Sequence, residues 1–261
     1  MTEPQSNAAK DESKNSAAEM PLLGHLVELR SRLLKAVITI VVLFLGLVYF
    51  ANDLYLIVAK PLIAHLPEGS EMVSTSVIAP FFTPFKLSLV LAFFLAIPVV
   101  LHQLWAFISP ALYQNEKRLA IPLLFSSVVL FYSGMVFCYF IVFPLMFQFF
   151  PSVIPEGIRY IPDMTDSLNI MLKLFFAFGV AFEVPIVTML LVWSGTTTVA
   201  NLKEKRPYII VGAFVIGMLL TPPDMISQTL LAVPMWMLFE LGLFLATWIK
   251  PSPAEKPSDE T

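Results

Sequence analysis

The chain has 261 residues, of which 57% are hydrophobic, only 13% are charged and 23 are Phe; its mean hydropathy is +0.80. A soluble domain carries about 25% charged residues, and one core cannot hide this much apolar surface. A soluble fold is therefore excluded, and the composition points to a polytopic membrane protein with lipid as solvent for most side chains. The net charge of −3 argues against a nucleic-acid binder. The single cysteine, Cys138, excludes an internal disulfide and reads as a small buried side chain. His25, His65 and His102 lie far apart with no metal-ligand spacing, so neither metal nor cofactor is expected. No Walker loop, GxSxG or HExxH occurs, which argues against an ATP-driven pump or a membrane hydrolase.

In chain order, residues 1–20 are polar and read as a disordered tail rather than a signal peptide. Residues 21–249 form the membrane domain, and 250–261 a second disordered tail. Within the domain, Leu22, Leu26, Leu29 and Leu33 recur at helical spacing and indicate an amphipathic lead-in. Six apolar segments follow, at about 33–51, 87–108, 119–150, 168–193, 208–220 and 225–249. The third carries no charge and exceeds a bilayer core of about 30 Å, so it should tilt, kink or project. The fifth rises only about 20 Å. With the sixth, across the turn Thr221-Pro222-Pro223-Asp224, it predicts a short hairpin whose turn lies below the membrane surface. Pro98, Pro122, Pro144, Pro185 and Pro234 fall in or near spans and predict kinks. Ser109-Pro110 is a helix-start signal.

Orientation follows from the bases. With six crossings both termini share one side, and of the 16 Lys and Arg only Lys60, Lys86, Arg159 and Lys173 fall on the other. The basic side is cytoplasmic. The outside loops, about 52–86, 151–167 and 221–224, are then extracytoplasmic, and the first two are long and Pro-rich. They read as a cap over a concave face, with 53–64 as a short interfacial helix. The fold expected is an all-α membrane protein: six Pro-kinked transmembrane helices in a curved concave wall, long cap loops, short fifth and sixth helices, and both termini cytoplasmic.

Several acids invite chemistry. Glu183 lies near the middle of the fourth segment, where a charge costs about 2.5–3.5 kcal/mol. It is either a carboxyl bonded to a carbonyl freed by Pro185 or a polar point facing a cavity or partner helix. Glu240 reads as solvated at a helix end. Asp224 can close a cap with Thr221 and Pro222. Glu28 and Glu116 stand among bases on the cytoplasmic face, and charge pattern alone makes each a solvated ion-pair partner.

The stretches 25–33, 107–118, 178–185 and 205–229, the last running from Lys205-Arg206-Pro207-Tyr208 to Ser227-Gln228-Thr229, bring a family into view. Over about 20–249 the sequence resembles TatC, the core subunit of the twin-arginine protein translocase. The resemblance implies a receptor and scaffold, not an enzyme. Such a protein sits in the bacterial inner membrane as a multi-copy complex. It binds twin-arginine signal peptides of folded cargo and recruits the single-span subunits TatB and TatA for export driven by the proton-motive force. Matched by motif, Glu28 and Glu116 become arginine acceptors, with Arg30, Phe107, Leu112 and Tyr113 beside them. A guanidinium forks onto a carboxylate in a way that lysine cannot. Glu183 would line a membrane cavity. Met218, Thr221 and Gln228 would dock partner helices, although Gln228 is also readable as a helix-packing amide. Pro61 would serve assembly, and Asp224 is grouped with it. The competing reading is a small-solute transporter using Glu183, Gln103, His102 and Gln228, but no repeat relates the two halves. An intramembrane enzyme lacks a nucleophile–base pair or metal set.

Overall fold

A computed structural model of the chain describes residues 6–66, 71–112, 117–155, 158, 160–220 and 225–248, with side chains described except at 6–26, 108–112, 117–120 and 227. The described residues are helical apart from loops and one isolated bridge. In order the helices are α1 (Ser6–Leu47), α2 (Ala51–Ile63), α3 (Ala79–Leu95), α4 (Ile97–Leu112), α5 (Lys117–Phe137), α6 (Phe143–Ser152), α7 (Met164–Ala181), α8 (Val184–Trp193), α9 (Val199–Glu204), α10 (Arg206–Leu220) and α11 (Met225–Ala246). A 3-10 turn joins α1 to α2, and a π-helical turn, Cys138–Val142, joins α5 to α6.

Each apolar segment read from the sequence coincides with a helix or helix pair. Four runs are long and apolar enough to cross a membrane: Val27–Ile63, Ile121–Ser152, Met164–Trp193 and Gln228–Ala246. A fifth arises if α3 and α4, bent by 49° at Ala96, count as one, and α10 is a shorter apolar helix. The protein is thus an all-helical, multi-pass membrane protein. Its exposed surface is rich in large apolar side chains, including many on α1 from Val27 onward and on α10, as lipid solvent allows.

Three expectations are corrected. The sixth helix is not short: α11 has 22 residues, about 33 Å of rise. Ser109-Pro110 does not start a helix, because α4 runs through it to Leu112; an apolar helix entering from the N-terminal side outweighs a local cap signal. The first outside loop shrinks, since the interfacial piece is the helix α2, continuous with the first span, and α3 already starts at Ala79.

The prolines explain the local geometry. Pro144 and Pro185 each occupy the second residue of a helix, where a proline is tolerated. Elsewhere a proline orphans the carbonyl four residues earlier. Pro61, inside α2, leaves the Ile57 carbonyl without its helical donor, and the Tyr139 hydroxyl from the π turn donates to it at 2.8 Å. Pro98 does the same to Phe94, and the Tyr132 hydroxyl of α5 donates there at 3.1 Å. In lipid these carbonyls have no water to turn to.

The core is largely aromatic. Phe94, Phe131, Phe143, Phe175 and Phe178 are buried together with Met146, Leu174 and Cys138, and Phe143 meets Phe175 edge-on with centroids 4.8 Å apart. Helices α5 and α7 approach closely through glycine: a Cβ on Gly134 would stand 2.4 Å from the Phe178 carbonyl oxygen.

Helices α3 and α7 run parallel from a common end. Thr83 pairs with Thr165 at 3.0 Å, Lys86 with Asn169 at 2.6 Å and Phe94 with Phe175 at 6.2 Å between centroids. Their starts are tied by a small parallel bridge between Val73 and Asp163. The Val73 N–H donates to the Pro162 carbonyl at 3.0 Å and the Met164 N–H to the Val73 carbonyl at 2.9 Å. Asp163 caps α7 through the N–H groups of Thr165 and Asp166, and its other oxygen accepts from the Thr75 N–H and Thr75 hydroxyl at 2.9 and 2.8 Å. Those Thr75 donors, with the cap, hold the Asp163 carboxyl down at about 2. Helix α1 packs antiparallel on α3, with Phe44 on Phe85 at 4.9 Å, and also touches α4.

Tyr139→Phe is expected to destabilise the protein by on the order of 1 kcal/mol, measured by thermal unfolding in detergent. In a Pro61→Ala background, where residue 61 regains its N–H, the same change should cost clearly less. The depressed Asp163 pKa means that its contribution is complete above 3.8 and is lost as pH falls through about 2. Hydrogen exchange over residues 71–76 should therefore accelerate across that window, and Asp163→Asn should remove the pH dependence.

Candidate functional site

Of the two proposed arginine acceptors, Glu28 is among the described residues, where α1 begins its apolar run. Glu28 lies on α1, half-buried, and its Oε1 accepts from Arg32 Nη2 at 2.5 Å and Nε at 3.0 Å. One turn of helix brings the two together at i, i+4. The carboxylate thus already holds a guanidinium, by one oxygen. Arg30 is exposed on the same helix and Phe107 half-buried on α4. Leu112 is the last residue of α4; its side chain, and Tyr113 and Glu116 altogether, lie outside the described residues.

Glu183 sits at the junction of α7 and α8. Val184-Pro185 opens α8, so the backbone breaks at Phe182-Glu183. The Glu183 main chain bridges the break, its N–H donating to Val180 at 3.0 Å and its carbonyl accepting from Val187 at 2.9 Å. The side chain does not bond a carbonyl freed by Pro185. Its Oε2 accepts from the Ser127 hydroxyl of α5, while Oε1 is buried without a protein partner. Ser127, itself buried, was missed by sequence reasoning; the signal was the polar pair Ser126-Ser127 inside an uncharged apolar run. Phe182, beside Glu183, lines an apolar groove of about 490 Å³ with Phe137, Met237 and Phe244.

Glu240 lines the same groove and is not merely solvated: it accepts from Arg206 Nη2 at 2.6 Å, which ties the start of α10 to the last part of α11. No local pattern pairs residues so far apart in the chain.

The partner-docking set is brought together in part. Helices α10 and α11 pack against each other, and a Cβ on Gly217 would meet the Gln228 carbonyl oxygen at 3.5 Å. Met218, next to Gly217, is exposed and Gln228 is half-buried. Within α10 only Ala213 and Gly217 are buried, so most of that helix is uncovered. Thr221 and Asp224 lie outside the described residues. Pro61 is far from this hairpin in sequence, buried within α2, and its carbonyl accepts from His65 Nδ1 at 2.7 Å.

Fold and sites describe a multi-pass helical membrane protein with a carboxylate–guanidinium pair at the start of its first span, a polar point at a helix break and a short, largely uncovered helix α10. A sequence profile of the Sec-independent protein translocase protein family (TatC) matches residues 24–234. The Sec-independent protein translocase protein TatC of Azotobacter chroococcum mcd 1 is 57% identical over 94% of this chain and 97% of that protein. The TatC of Escherichia coli K12 is 56% identical over 87% of this chain and 88% of that protein. A crystal structure of the twin arginine translocase receptor TatC aligns with a TM-score of 0.75 at 40% identity, covering 86% of this chain and 98% of that one. A second, in DDM, gives 0.76 at 38% identity over 85% and 99%. The chain belongs to the TatC family, a family of protein-transport components rather than enzymes.

The Ser127–Glu183 contact makes a specific expectation. Glu183→Gln keeps a hydrogen-bonding group against Ser127 and should retain most transport, whereas Glu183→Leu leaves the buried hydroxyl unpartnered. Leu should reduce both transport and the cross-linking of an apolar signal-peptide segment near this depth, measured in inverted membrane vesicles.

Proposed function

We propose that this chain is the receptor and scaffold of a twin-arginine translocase in a bacterial inner membrane. It crosses that membrane six times with both termini in the cytoplasm, its prolines curving the helices into a concave wall. On this reading the two loops stitched by Val73 and Asp163 form an extracytoplasmic cap, and 250–261 is a cytoplasmic tail. The observation that carries the reading is the 40% identity to a solved twin arginine translocase receptor over 86% of the chain.

The chemistry of the basic end supports it. A signal peptide's paired arginines meet Glu28 and Glu116, with Arg30, Phe107, Leu112 and Tyr113 around them. The Glu28–Arg32 pair is an exposed-type i, i+4 contact worth only about 0.3–0.5 kcal/mol. An incoming guanidinium can therefore displace or share it at little cost, and a charge-assisted bond gains about 1.5–3 kcal/mol. Arg32 acts as an internal occupant that keeps the carboxylate oriented until the peptide arrives. Single-span TatB-like and TatA-like subunits dock on the uncovered α10–α11 hairpin around Met218, Thr221 and Gln228, and Pro61 and Asp224 support assembly of several copies. The proton-motive force drives export.

Glu116→Arg should abolish export of folded twin-arginine cargo while leaving membrane insertion intact, scored by periplasmic cargo activity against chain abundance. A photocross-linker at 116 should capture a twin-arginine peptide and fail with a twin-lysine peptide. Normal export by a well-inserted Glu116→Arg variant, or equal capture of both peptides, would remove the acceptor role.

A further inference from the structure

The groove between α3 and α7 has no part in peptide recognition or hairpin docking. On α3, Lys86, Leu89, Val90 and Phe93 follow one another at i, i+3, i+4 and i+7, the spacing of a single helical stripe. On α7, Asn169, Leu172, Lys173 and Phe176 repeat that spacing. Because the helices run parallel, the stripes match level by level. Lys86 Nζ donates to Asn169 Oδ1 at 2.6 Å at one end, and the rings of Phe93 and Phe176 lie 6.3 Å apart at the other. Ile40 of α1 forms a third wall, and the groove measures about 650 Å³. The result is an amphipathic slot, cationic at the end near the Val73–Asp163 bridge and apolar below it.

Depth gives the slot its meaning. From the helix starts at Ala79 and Met164, the two lysines are about 10–14 Å along the axis. A lysine this far inside a span is costly unless its stem turns the ammonium back to the interface. Both side chains are exposed, and Lys86 uses one of three donors on Asn169. None of the residues lining the groove is acidic. A smaller cavity of about 240 Å³ continues from Lys86 and Asn169 toward the loops, past the hydroxyl-bearing Ser76, Thr83 and Thr165. Two cations at the boundary of headgroup and acyl chain, with polar space above and an apolar slot beneath, call for an amphiphile bearing negative charge. The groove's volume lies in the range of small-ligand sites.

We propose that this groove binds one anionic membrane phospholipid. The phosphodiester lies between Lys86 and Lys173, the glycerol end reaches toward Thr83 and Thr165, and one acyl chain runs down to the Phe93–Phe176 pair. A zwitterionic lipid would bring a further ammonium beside two lysines and is disfavoured by that repulsion. A partner helix is about 10 Å across, and the slot between two packed helices admits a chain better than a cylinder. Bound lipid would fill the space between α3 and α7 on the lipid side and so brace the aromatic core. The site is independent of the twin-arginine reading and survives its failure.

The test uses the full chain in detergent, titrated with dioleoyl phosphatidylglycerol against dioleoyl phosphatidylcholine and read by native mass spectrometry. The wild type should retain one phosphatidylglycerol with at least tenfold preference. Lys86→Gln with Lys173→Gln should lose that preference, and Lys86→Arg with Lys173→Arg should keep it. An unchanged preference in the double Gln variant would overturn the site. A second measurement needs no lysine variant: a photocross-linker at Leu89 in membranes should label phospholipid. Capture of a single-span polypeptide there instead would overturn the proposal in favour of a protein partner.

Discussion

In lipid a main-chain carbonyl that loses its helical partner has no water to accept from, and this constraint shapes the molecule. The chain has 21 prolines, and each one inside a helix threatens to leave such a carbonyl bare. Two avoid the problem by standing in the first turn of α6 and α8. At Pro61 and Pro98 the vacancy is filled from a neighbouring helix, by Tyr139 on Ile57 and Tyr132 on Phe94. Each bond joins two segments that would otherwise touch only through apolar contact. Between helices in a bilayer, packing and a few hydrogen bonds replace the hydrophobic drive of a soluble core. Proline therefore does two things here: it redirects a helix, and it creates the acceptor by which that helix is held.

Polar groups within the membrane domain gather at interruptions of the same kind. Glu183 stands where α7 gives way to α8, its main chain carrying hydrogen bonds across the break and its side chain reaching Ser127 on α5. A carboxyl with one satisfied and one bare oxygen is a poor structural element in isolation, because a buried acceptor without a donor costs free energy. On the receptor reading, it would be an acceptor kept ready near Phe182, which with Phe137 lines an apolar groove. The Arg206–Glu240 pair differs in joining two charged groups directly, with Arg206 Nε buried and without a protein partner. It fastens the base of the α10–α11 hairpin, leaving the far end of α10 with little cover beyond Gly217 and its neighbour helix. Rigid base and uncovered flank together suit a surface on which another helix can lie.

The sequence made the helices legible because their signal is one of composition: long apolar runs with few charges can be little else in a membrane. It made the short α10 legible too, since Tyr208–Leu220 is simply too brief for a full span. What stayed hidden depends on relationships between distant residues. That Tyr139 serves Ile57, that Ser127 serves Glu183 and that Asp163 gathers Thr75 are facts of packing, with no trace in local periodicity. The Ser109-Pro110 signal misled because a local cap preference is worth about 1 kcal/mol, less than an entire apolar helix gains by continuing. The same limit applies to the acceptors. The sequence pointed to Glu28 by motif, but not to Arg32 as the group that already occupies it.

That occupancy bears on why a receptor of this kind should distinguish arginine from lysine. Glu28 on its own would attract any cation, and a bare carboxylate at the end of a membrane helix would accept an ammonium readily. With Arg32 bound to one oxygen, the remaining lone pairs are presented in the plane of the carboxylate, where a second planar guanidinium can share the group edge-on. A lysine offers a strongly hydrated point charge that must shed more water and gains no second parallel bond. On the receptor reading, selectivity would come from the parallel bonds a guanidinium gains on the shared carboxylate, since the internal Arg32 contact is cheap to displace. A twin-arginine segment would make such bonds on the proposed acceptors where a lysine pair would not.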